Sequence, residues 1–170
     1  MKYLQALLLA LLGSTNAYAS CLAIVDIEDN DGRVYEFDYD NTDGVVNFGN
    51  YSDGLYGLGQ PATNATITIS NSCSYAEVLT LSISGNSGEF CLGIDNGETV
   101  TEKEACITMV ELTVPAGTVT QPGTVTQLLA FRPLHPGKKK KRLSIDATQV
   151  NDDLSILITL KGEIDPFPQY

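Results

Sequence analysis

The chain has 170 residues, of which 43% are hydrophobic and 18% are charged, and its formal net charge is -11. That length fits one domain, and the hydrophobic share is sufficient for a buried core. The acidic balance argues against nucleic acid or anionic membrane as a partner of the surface as a whole. Abundant Ser, Thr, Asn and Gly with few charges favour an all-β extracellular module over a helical cytosolic enzyme.

The N-terminus has the pattern of a secretory signal peptide. Lys2 supplies a short positive region, residues 4–12 form an apolar run too short to span a bilayer, and an Ala-Tyr-Ala cleavage signal ends at Ala19. We predict cleavage after Ala19 and a periplasmic or secreted product that is not integral to a membrane. The alternative is a lipoprotein acylated at Cys21, although Tyr18 stands where such a site prefers Leu.

The first half of the chain alternates hydrophobic and polar residues with a period of two. This pattern is typical of strands with one buried and one exposed face. The strands predicted from it are residues 22–27, 33–40, 45–48, 65–70 and 79–84. In residues 33–40 we expect the aromatic side to be the buried one. Residues 50–63 are rich in Gly, Tyr, Asn and Pro and are predicted to form a loop that crosses between sheets.

The second half continues the same pattern, with strands predicted at residues 106–114, 128–131, 138–147 and 155–164. The sequence Gly-Thr-Val-Thr-Gln occurs at 117–121 and again at 123–127, and Pro122-Gly123 between them fits a type II turn. We therefore predict a small hairpin there. No helical period follows the signal peptide, so the fold class predicted is an all-β sandwich.

Four cysteines remain in a chain that is predicted to be exported, and an oxidising compartment makes disulfides the default for them. We predict a Cys91–Cys106 bridge, which closes a short loop, and a Cys21–Cys73 bridge, which ties the first strand to a turn. Each bridge is expected to stabilise the fold by about 2–4 kcal/mol. The absence of Cys-x-x-Cys pairs in the sequence argues against a zinc site.

From Val46 to Gly162 the sequence resembles the ASH-like immunoglobulin-type sandwiches of bacterial exported proteins, the choice-of-anchor D type. Val46-Asn47-Phe48-Gly49 is similar to the family's opening phrase. A later phrase with the spacing Phe-x-Pro-x-x-x-Gly, followed by Leu-x-Ile, matches Phe131, Pro133, Gly137, Leu143 and Ile145. The resemblance implies an immunoglobulin-like β-sandwich that acts as a binding or structural module and has no catalytic activity.

The chain departs from that family pattern in two places, and these departures define the predicted organisation. Residues 111–129 interrupt the family's order and are read as an inserted hairpin, while residues 20–45 are read as an N-terminal β extension packed on the sandwich. We therefore predict a signal peptide at 1–19, the extension at 20–45, the sandwich at 46–164 and a loose tail at 165–170.

Acidic residues crowd the predicted extension, and oxygen-rich loops of this kind can bind calcium. The candidate ligands are Asp29, Asp31, Asp38, Asp40 and Asp43. Their spacing departs from a calcium loop, because Ile27 occupies the first-ligand position of one segment and Gly44 falls one place late in the other. The alternative interpretation is a set of solvated turns on an acidic exported protein.

A basic run contrasts with this acidic background. It comprises Lys138, Lys139, Lys140, Lys141 and Arg142, with Arg132 nearby. One interpretation is a site for an anionic partner, such as a polysaccharide, a lipid phosphate or an acidic patch on a neighbouring copy. The other is an edge strand that lysines protect against pairing with another sheet.

The sequence predicts no catalysis. It lacks a Gly-x-Ser-x-Gly elbow and a phosphate loop, and its single histidine, His135, lies in a turn next to Pro136. We predict a non-catalytic binding or structural module that acts through protein–protein or surface-glycan contacts. The alternatives are a pilin- or adhesin-like subunit, which would need an incomplete sheet and a loose N-terminal arm, and a calcium-stabilised binding module.

Overall fold

A computed structural model describes residues 24–29, 31–38, 41–51, 63–85, 88–93, 106–147 and 155–165. Within these ranges the chain forms two five-stranded sheets and no helix, which confirms the predicted all-β sandwich. The strands are β1 Ile24–Glu28, β2 Val34–Phe37, β3 Asp43–Tyr51, β4 Thr63–Asn71, β5 Glu77–Ile83, β6 Phe90–Leu92, β7 Met109–Val114, β8 Gly123–Phe131, β9 Gly137–Ala147 and β10 Ser155–Ile164.

The two sheets have the strand orders β2-β1-β4-β8-β6, here called sheet A, and β3-β10-β9-β5-β7, here called sheet B. All pairings between named strands are antiparallel except that of β3 with β10, which is parallel. β1 lies between β2 and β4, so the predicted N-terminal extension supplies two strands of sheet A. β3 runs across the predicted boundary at residue 45, and the division into domains stays a prediction.

The period-two pattern of the sequence produces the core directly. In β5 the buried and half-buried side chains alternate along the whole strand, and β10 alternates in the same way. The inward-facing residues of the two sheets meet between them. The fully buried aliphatic side chains include Ile67, Ile69, Leu79, Leu81, Leu143, Ile145, Ile156 and Ile158.

Three phenylalanines fill one end of this core. The ring centroids of Phe90 and Phe131 are 4.9 Å apart. The centroid of the Phe48 ring lies 5.6 Å from that of Phe90 and 5.9 Å from that of Phe131. Gly162 in β10 faces this cluster, and a Cβ atom at that position would lie 2.5 Å from Cε1 of Phe131. The absence of a side chain at residue 162 therefore makes room for the Phe131 ring.

A buried asparagine organises the turn between β4 and β5. The amide nitrogen of Asn71 donates to the carbonyls of Tyr75 (2.9 Å) and Pro115 (3.0 Å), and its Oδ1 accepts from the backbone N–H of Cys73 (2.8 Å). These bonds hold residues 71–75 in a compact turn and tie that turn to the end of β7. A buried amide with this many partners adds specificity to the connection between the sheets.

A disulfide joins Cys91 in β6 to Cys106, with the two Cα atoms 5.0 Å apart. Next to it the backbone N–H of Leu92 donates to the carbonyl of Ile107 (2.7 Å). The two links together attach β6 to the segment that leads into β7. Cys73 is also disulfide-bonded. The predicted Cys21–Cys73 pairing stays a prediction, since Cys21 lies outside the described residues.

The inserted segment differs in detail from its prediction. Thr118 and Gln121 exchange backbone hydrogen bonds of 2.9 Å and 3.2 Å, so the tight turn lies at Val119-Thr120. The predicted turn at Pro122-Gly123 is wrong, because Gly123 begins β8 and pairs with Asn71. The second copy of the short repeat is thus strand, while the first copy forms the turn. Val119 at the tip is 89% exposed.

Several predictions fall on residues outside the described ranges. These are the signal peptide at 1–19 with its cleavage site, Cys21, Asp40, most of the loop at 50–63 and residues 166–170. In the part of the chain that the structure describes, no helix has the length and apolar character needed to cross a membrane.

Gly162→Ala tests the packing of the aromatic cluster. The added methyl must displace the Phe131 ring, and overpacking of this kind costs about 1–3 kcal/mol. We expect urea denaturation to show that loss in the free energy of unfolding. Glu163→Ala, on the outward side of the same strand, is the control and should change stability by no more than about 0.5 kcal/mol. Equal effects of the two variants would contradict the packing described for Gly162.

Glu77→Gln tests a buried carboxyl at the start of β5. Glu77 is fully buried, its carboxylate oxygens have no hydrogen-bond partner among the described residues, and burial raises the pKa of its carboxyl. A carboxyl whose pKa is higher in the folded chain than in the unfolded chain favours folding at a pH below its unfolded-state pKa. This contribution to stability is lost as the pH rises through its folded-state pKa. We therefore expect the variant to be more stable than wild type near neutral pH.

That difference should shrink as the pH approaches about 4, where an ordinary glutamate becomes protonated in the unfolded chain. Denaturation curves at several pH values measure it. A constant difference across the whole range would show that ionisation of Glu77 does not affect folding.

Candidate binding face on sheet B

The basic run lies in β9, and the alternation of the strand divides it between two faces. Lys138, Lys140 and Arg142 are exposed on the outer face of sheet B. Lys139 and Lys141 are half-buried and lie on the side of the strand that carries the core residues Leu143 and Ile145. Lysines that are adjacent in the sequence therefore lie on opposite faces of the strand, in different environments.

The pairing of β9 with β10 adds a fourth cation to the outer face. Lys161 of β10 lies directly opposite Lys140, and Thr159 lies opposite Arg142. We call Lys138, Lys140, Arg142 and Lys161 the basic face. Like charges directly opposite each other in an antiparallel pair are destabilising. Among the described residues no carboxylate forms an ion pair with Lys140 or Lys161.

Among the described residues, one acidic side chain forms an ion pair with the basic face. Glu163, opposite Lys138, places its Oε2 4.0 Å from the Lys138 Nζ. The lysine side chain is 83% exposed, and an exposed pair at that distance contributes little to stability. Glu163 offsets one of the positive charges, and the face keeps a net positive charge from its other cations.

A polar groove runs along the β3 side of the basic face. Asn47 of β3 lies beside Lys161, and Asn50 lies beside Glu163 and places its amide nitrogen 3.3 Å from both carboxylate oxygens of Asp165. The groove has a volume of about 440 Å³. It therefore brings the Asn47 amide and ammonium groups to one surface, a combination suited to carboxylate or other oxyanion groups.

An apolar pair continues the same surface. Val45 of β3 is 44% exposed and Leu157 of β10 is 41% exposed, in a sheet whose other face forms the core. With Arg142, Thr159 and Asp43 they line a second hollow of about 550 Å³. The outer face of sheet B therefore offers cations, amides and apolar carbon side by side.

The structure separates two of the predicted basic residues from this face. Lys139 is 15% exposed at its side chain, and its Nζ lies 2.8 Å from Oε1 of the buried Glu89, which His135 also approaches at 3.9 Å. Arg132 is only 3% exposed, and its backbone N–H donates to the Glu89 carbonyl (2.7 Å). The Lys139 ammonium group is therefore paired inside the molecule, and Arg132 is buried. Arg132 does not belong to the anionic-partner set as predicted.

Lys161 and Asn47 are not among the residues predicted for the basic site, because they are distant along the chain from the run of lysines. The signal that could have found them is pairing register. β9 and β10 are consecutive antiparallel strands, so Lys161 becomes the cross-strand neighbour of Lys140 once the hydrophobic residues of both strands are aligned. The asparagine could not be placed in this way, because β3 joins β10 by a parallel, non-sequential pairing.

The edge-strand interpretation applies to part of β9. β5 pairs with β9 only from Leu143 to Ala147. Beyond that point the backbone N–H of Ser84 donates to the Arg142 carbonyl (2.8 Å), and the Arg142 N–H donates to the Ser84 Oγ (3.1 Å). Within the described residues, the lysines therefore have a strand partner only in β10. Lys138 and Lys140 belong to the basic face. All four lysines also lie in the half of β9 that β5 does not pair with, where lysine opposes pairing with another sheet.

The predicted calcium ligands are dispersed. The Oδ1 of Asp29 accepts from the backbone N–H groups of Asp31 (3.0 Å) and Arg33 (2.9 Å), so this carboxylate holds the β1–β2 turn. Asp38 accepts from the Asn41 N–H (2.8 Å), and Asp43 begins β3. Asp40 lies outside the described residues. Across the described ranges, no three His, Cys, Asp or Glu side chains are grouped so that they could hold a metal ion.

No protein-family model and no curated protein sequence matches the chain. Among solved structures it is similar to the CooA pilin subunit of enterotoxigenic Escherichia coli, at 14% identity and a TM-score of 0.44 over 84% of this chain and 99% of that one. It is also similar to ASH/PapD-like domain 7 of human CEP192, at 10% identity and a TM-score of 0.42 over 71% and 82% of the two chains.

A third similar structure is a family 123 glycoside hydrolase from Clostridium perfringens, at 13% identity and a TM-score of 0.43 over 73% of this chain. The match spans about a quarter of the hydrolase, 24% of that chain. Similarities this distant concern the sandwich fold alone, so the function has to be argued from the faces of this molecule.

Proposed function

We propose that this protein is an exported, non-catalytic binding module that takes an anionic protein partner on the basic face of sheet B. The observation that carries the proposal is the Lys140–Lys161 cross-strand pair. Like charges at directly opposed positions destabilise a sheet, and no described carboxylate offsets them. A partner that supplies carboxylates to both ammonium groups relieves this repulsion only when it binds.

The overall charge of the chain makes this local arrangement more selective. Four of the ten Lys and Arg residues lie on one sheet face of a molecule whose net charge is -11. Salt screens exposed charges beyond about 8 Å at physiological ionic strength, so a docked partner responds to the local cations more than to the distant acids. Complementary charge of this kind orients a partner and speeds its association.

A protein is favoured over a glycan because of what surrounds the cations. Val45 and Leu157 are exposed beside Arg142, and protein interfaces combine apolar contacts with charged groups at their rim. The amide of Asn47 adds a hydrogen-bond donor that suits a carboxylate side chain. A sulfated or uronic polysaccharide would use the cations and leave the apolar pair unused.

Binding without catalysis is consistent with the surroundings of the ionisable groups. His135, the only histidine in the sequence, is exposed, and its Nδ1 is 3.9 Å from the Glu89 carboxylate, which is already paired with Lys139. The basic face contains no described nucleophile next to a base, an arrangement that covalent catalysis requires. The proposed chemistry is therefore charge-assisted hydrogen bonding.

The pilin-like alternative receives less support from the sheets. A subunit that accepts a donated strand needs a vacant strand position, as in donor-strand complementation. Here β10 occupies the position between β9 and β3, pairing with β9 over its whole length and with β3 from Leu157 to Ile164. β1 is likewise paired on both sides. Membership of the ASH-like family remains a proposal that is compatible with the two five-stranded sheets of the described residues.

The proposal is tested by titrating isotope-labelled protein with a glutamate-rich peptide and following backbone amide signals by NMR. We expect the largest shifts at Asn47, Lys140 and Lys161. Lys140→Gln combined with Lys161→Gln removes two ion pairs of up to about 1 kcal/mol each. The Kd of the peptide should then rise roughly tenfold.

The matched control is Lys141→Gln combined with Arg33→Gln, which changes the net charge equally but leaves the basic face intact. This variant should bind like wild type. Shifts confined to other surfaces, or equal weakening by both double variants, would contradict the proposed binding face. A heparin oligosaccharide that binds this face while the peptide does not would assign the face to glycans and overturn the choice of a protein partner.

A further inference from the structure

The opposite side of the sandwich carries an acidic surface with a matching arrangement. Asp26 and Glu28 of β1 and Glu36 of β2 lie on the outward side of sheet A, since their chain neighbours Val25, Ile27 and Phe37 are buried. Glu28 and Glu36 are exposed, whereas Asp26 is half-buried and its Oδ1 is shielded from solvent. We call these three carboxylates the acidic face. Asp26 lies directly opposite Glu36, so sheet A contains a like-charge cross-strand pair of the other sign.

The neighbours of the acidic face do not neutralise it. The residues of β4 that lie beside Asp26 and Glu28 are Thr68 and Thr66, which are uncharged. Within the described residues, no ion pair involves any of the three carboxylates. The acidic face therefore resembles the Lys140–Lys161 pair: its charges oppose one another and have no ion-pair partner among the described residues.

The two like-charge pairs also match in spacing. Both are directly opposed residues of an antiparallel ladder, for which the Cα atoms lie about 4.5–5.5 Å apart. Asp26 and Glu36 can therefore align with Lys140 and Lys161, one carboxylate to each ammonium group. The two faces cannot meet within one molecule, because they are the outward sides of two sheets stacked about 10 Å apart.

We propose that the partner of the basic face is the acidic face of a second copy of this chain. This inference rests on the proposed function and names its ligand. The two surfaces are different, so the contact is head-to-tail and each bound copy still offers one free face of each sign. Such heterologous contacts close into a ring or continue as an open chain, depending on the rotation between copies.

Ionic strength controls this association in a characteristic way. The net charge of -11 makes copies repel at long range, while the close contacts between the faces attract. At about 0.15 M salt the long-range repulsion is screened beyond about 8 Å, and at about 1 M the screening length falls to about 3 Å and weakens the contacts themselves. Assembly is therefore strongest at intermediate salt.

Sedimentation velocity with two neutralised variants tests the inference. The first variant, Lys140→Gln with Lys161→Gln, keeps only the acidic face. The second, Asp26→Asn with Glu36→Gln, keeps only the basic face. We expect wild type to form species larger than two copies, each variant alone to be monomeric, and an equal mixture of the variants to form a complex of two copies and nothing larger.

The mixture separates this inference from a loss of folding. Each substitution removes a like-charge repulsion, so neither variant should melt at a lower temperature than wild type, and a mixed two-copy complex requires both to be folded. If one double variant fails to fold, Lys161→Gln alone and Glu36→Gln alone replace the pair and should lower the assembly constant by several-fold each.

The outcomes also separate this inference from the proposed function. A wild type that stays monomeric at every salt and protein concentration, while its basic face still binds the glutamate-rich peptide, overturns self-association and leaves the binding function standing. Failure of both the peptide and the second copy to bind overturns both. Wild-type assembly that persists in either variant alone also overturns the inference, because another surface must then hold the copies together.

Discussion

The antiparallel pairing of β9 with β10 is the interaction on which the sandwich and its charged surface both depend. On the inner face the register places Ile145 against Ile156 and Leu143 against Ile158, in the centre of the core. On the outer face the same register places Lys140 against Lys161. A shift of one residue would expose the aliphatic residues, so the hydrophobic pattern fixes the position of the charges. The cationic pair is thus a consequence of a register that the core enforces.

This dependence explains how a structure can retain repulsive pairs on both outer faces. Repulsion between exposed charges is weakened by water and salt, whereas removing several aliphatic side chains from the core would cost much more. The core therefore tolerates the Lys140–Lys161 and Asp26–Glu36 pairs without losing the fold. Like charges that repel each other within one molecule remain available to pair with opposite charges on another molecule. The charges of both faces are held by strand pairing: β1, β9 and β10 lie inside their sheets, and β2 pairs with β1 at the edge of sheet A.

The period-two pattern was sufficient to predict the fold class and most strands, because alternation reports directly which side of a strand is buried. The candidate site was predictable only in part. Local sequence identified Lys138 and Lys140, but whether Arg132 is exposed depends on packing against Glu89, which is distant in the sequence. Asn47 joins the site through a parallel pairing that no local pattern encodes. The turn at Pro122-Gly123 was misplaced because pairing with β4 draws Gly123 into β8, overriding its turn preference.

Zero-length crosslinking of a mixture of isotope-labelled and unlabelled chains tests the complementary faces most directly. A carbodiimide joins an amine to a carboxylate without a spacer, and the two faces of one copy lie on opposite sides of the sandwich. Mass spectrometry should find Lys140 or Lys161 joined to Asp26 or Glu36, with labelled and unlabelled peptides in the same product. The absence of such mixed products, under conditions in which the Lys139–Glu89 pair inside one chain is crosslinked, would contradict the account.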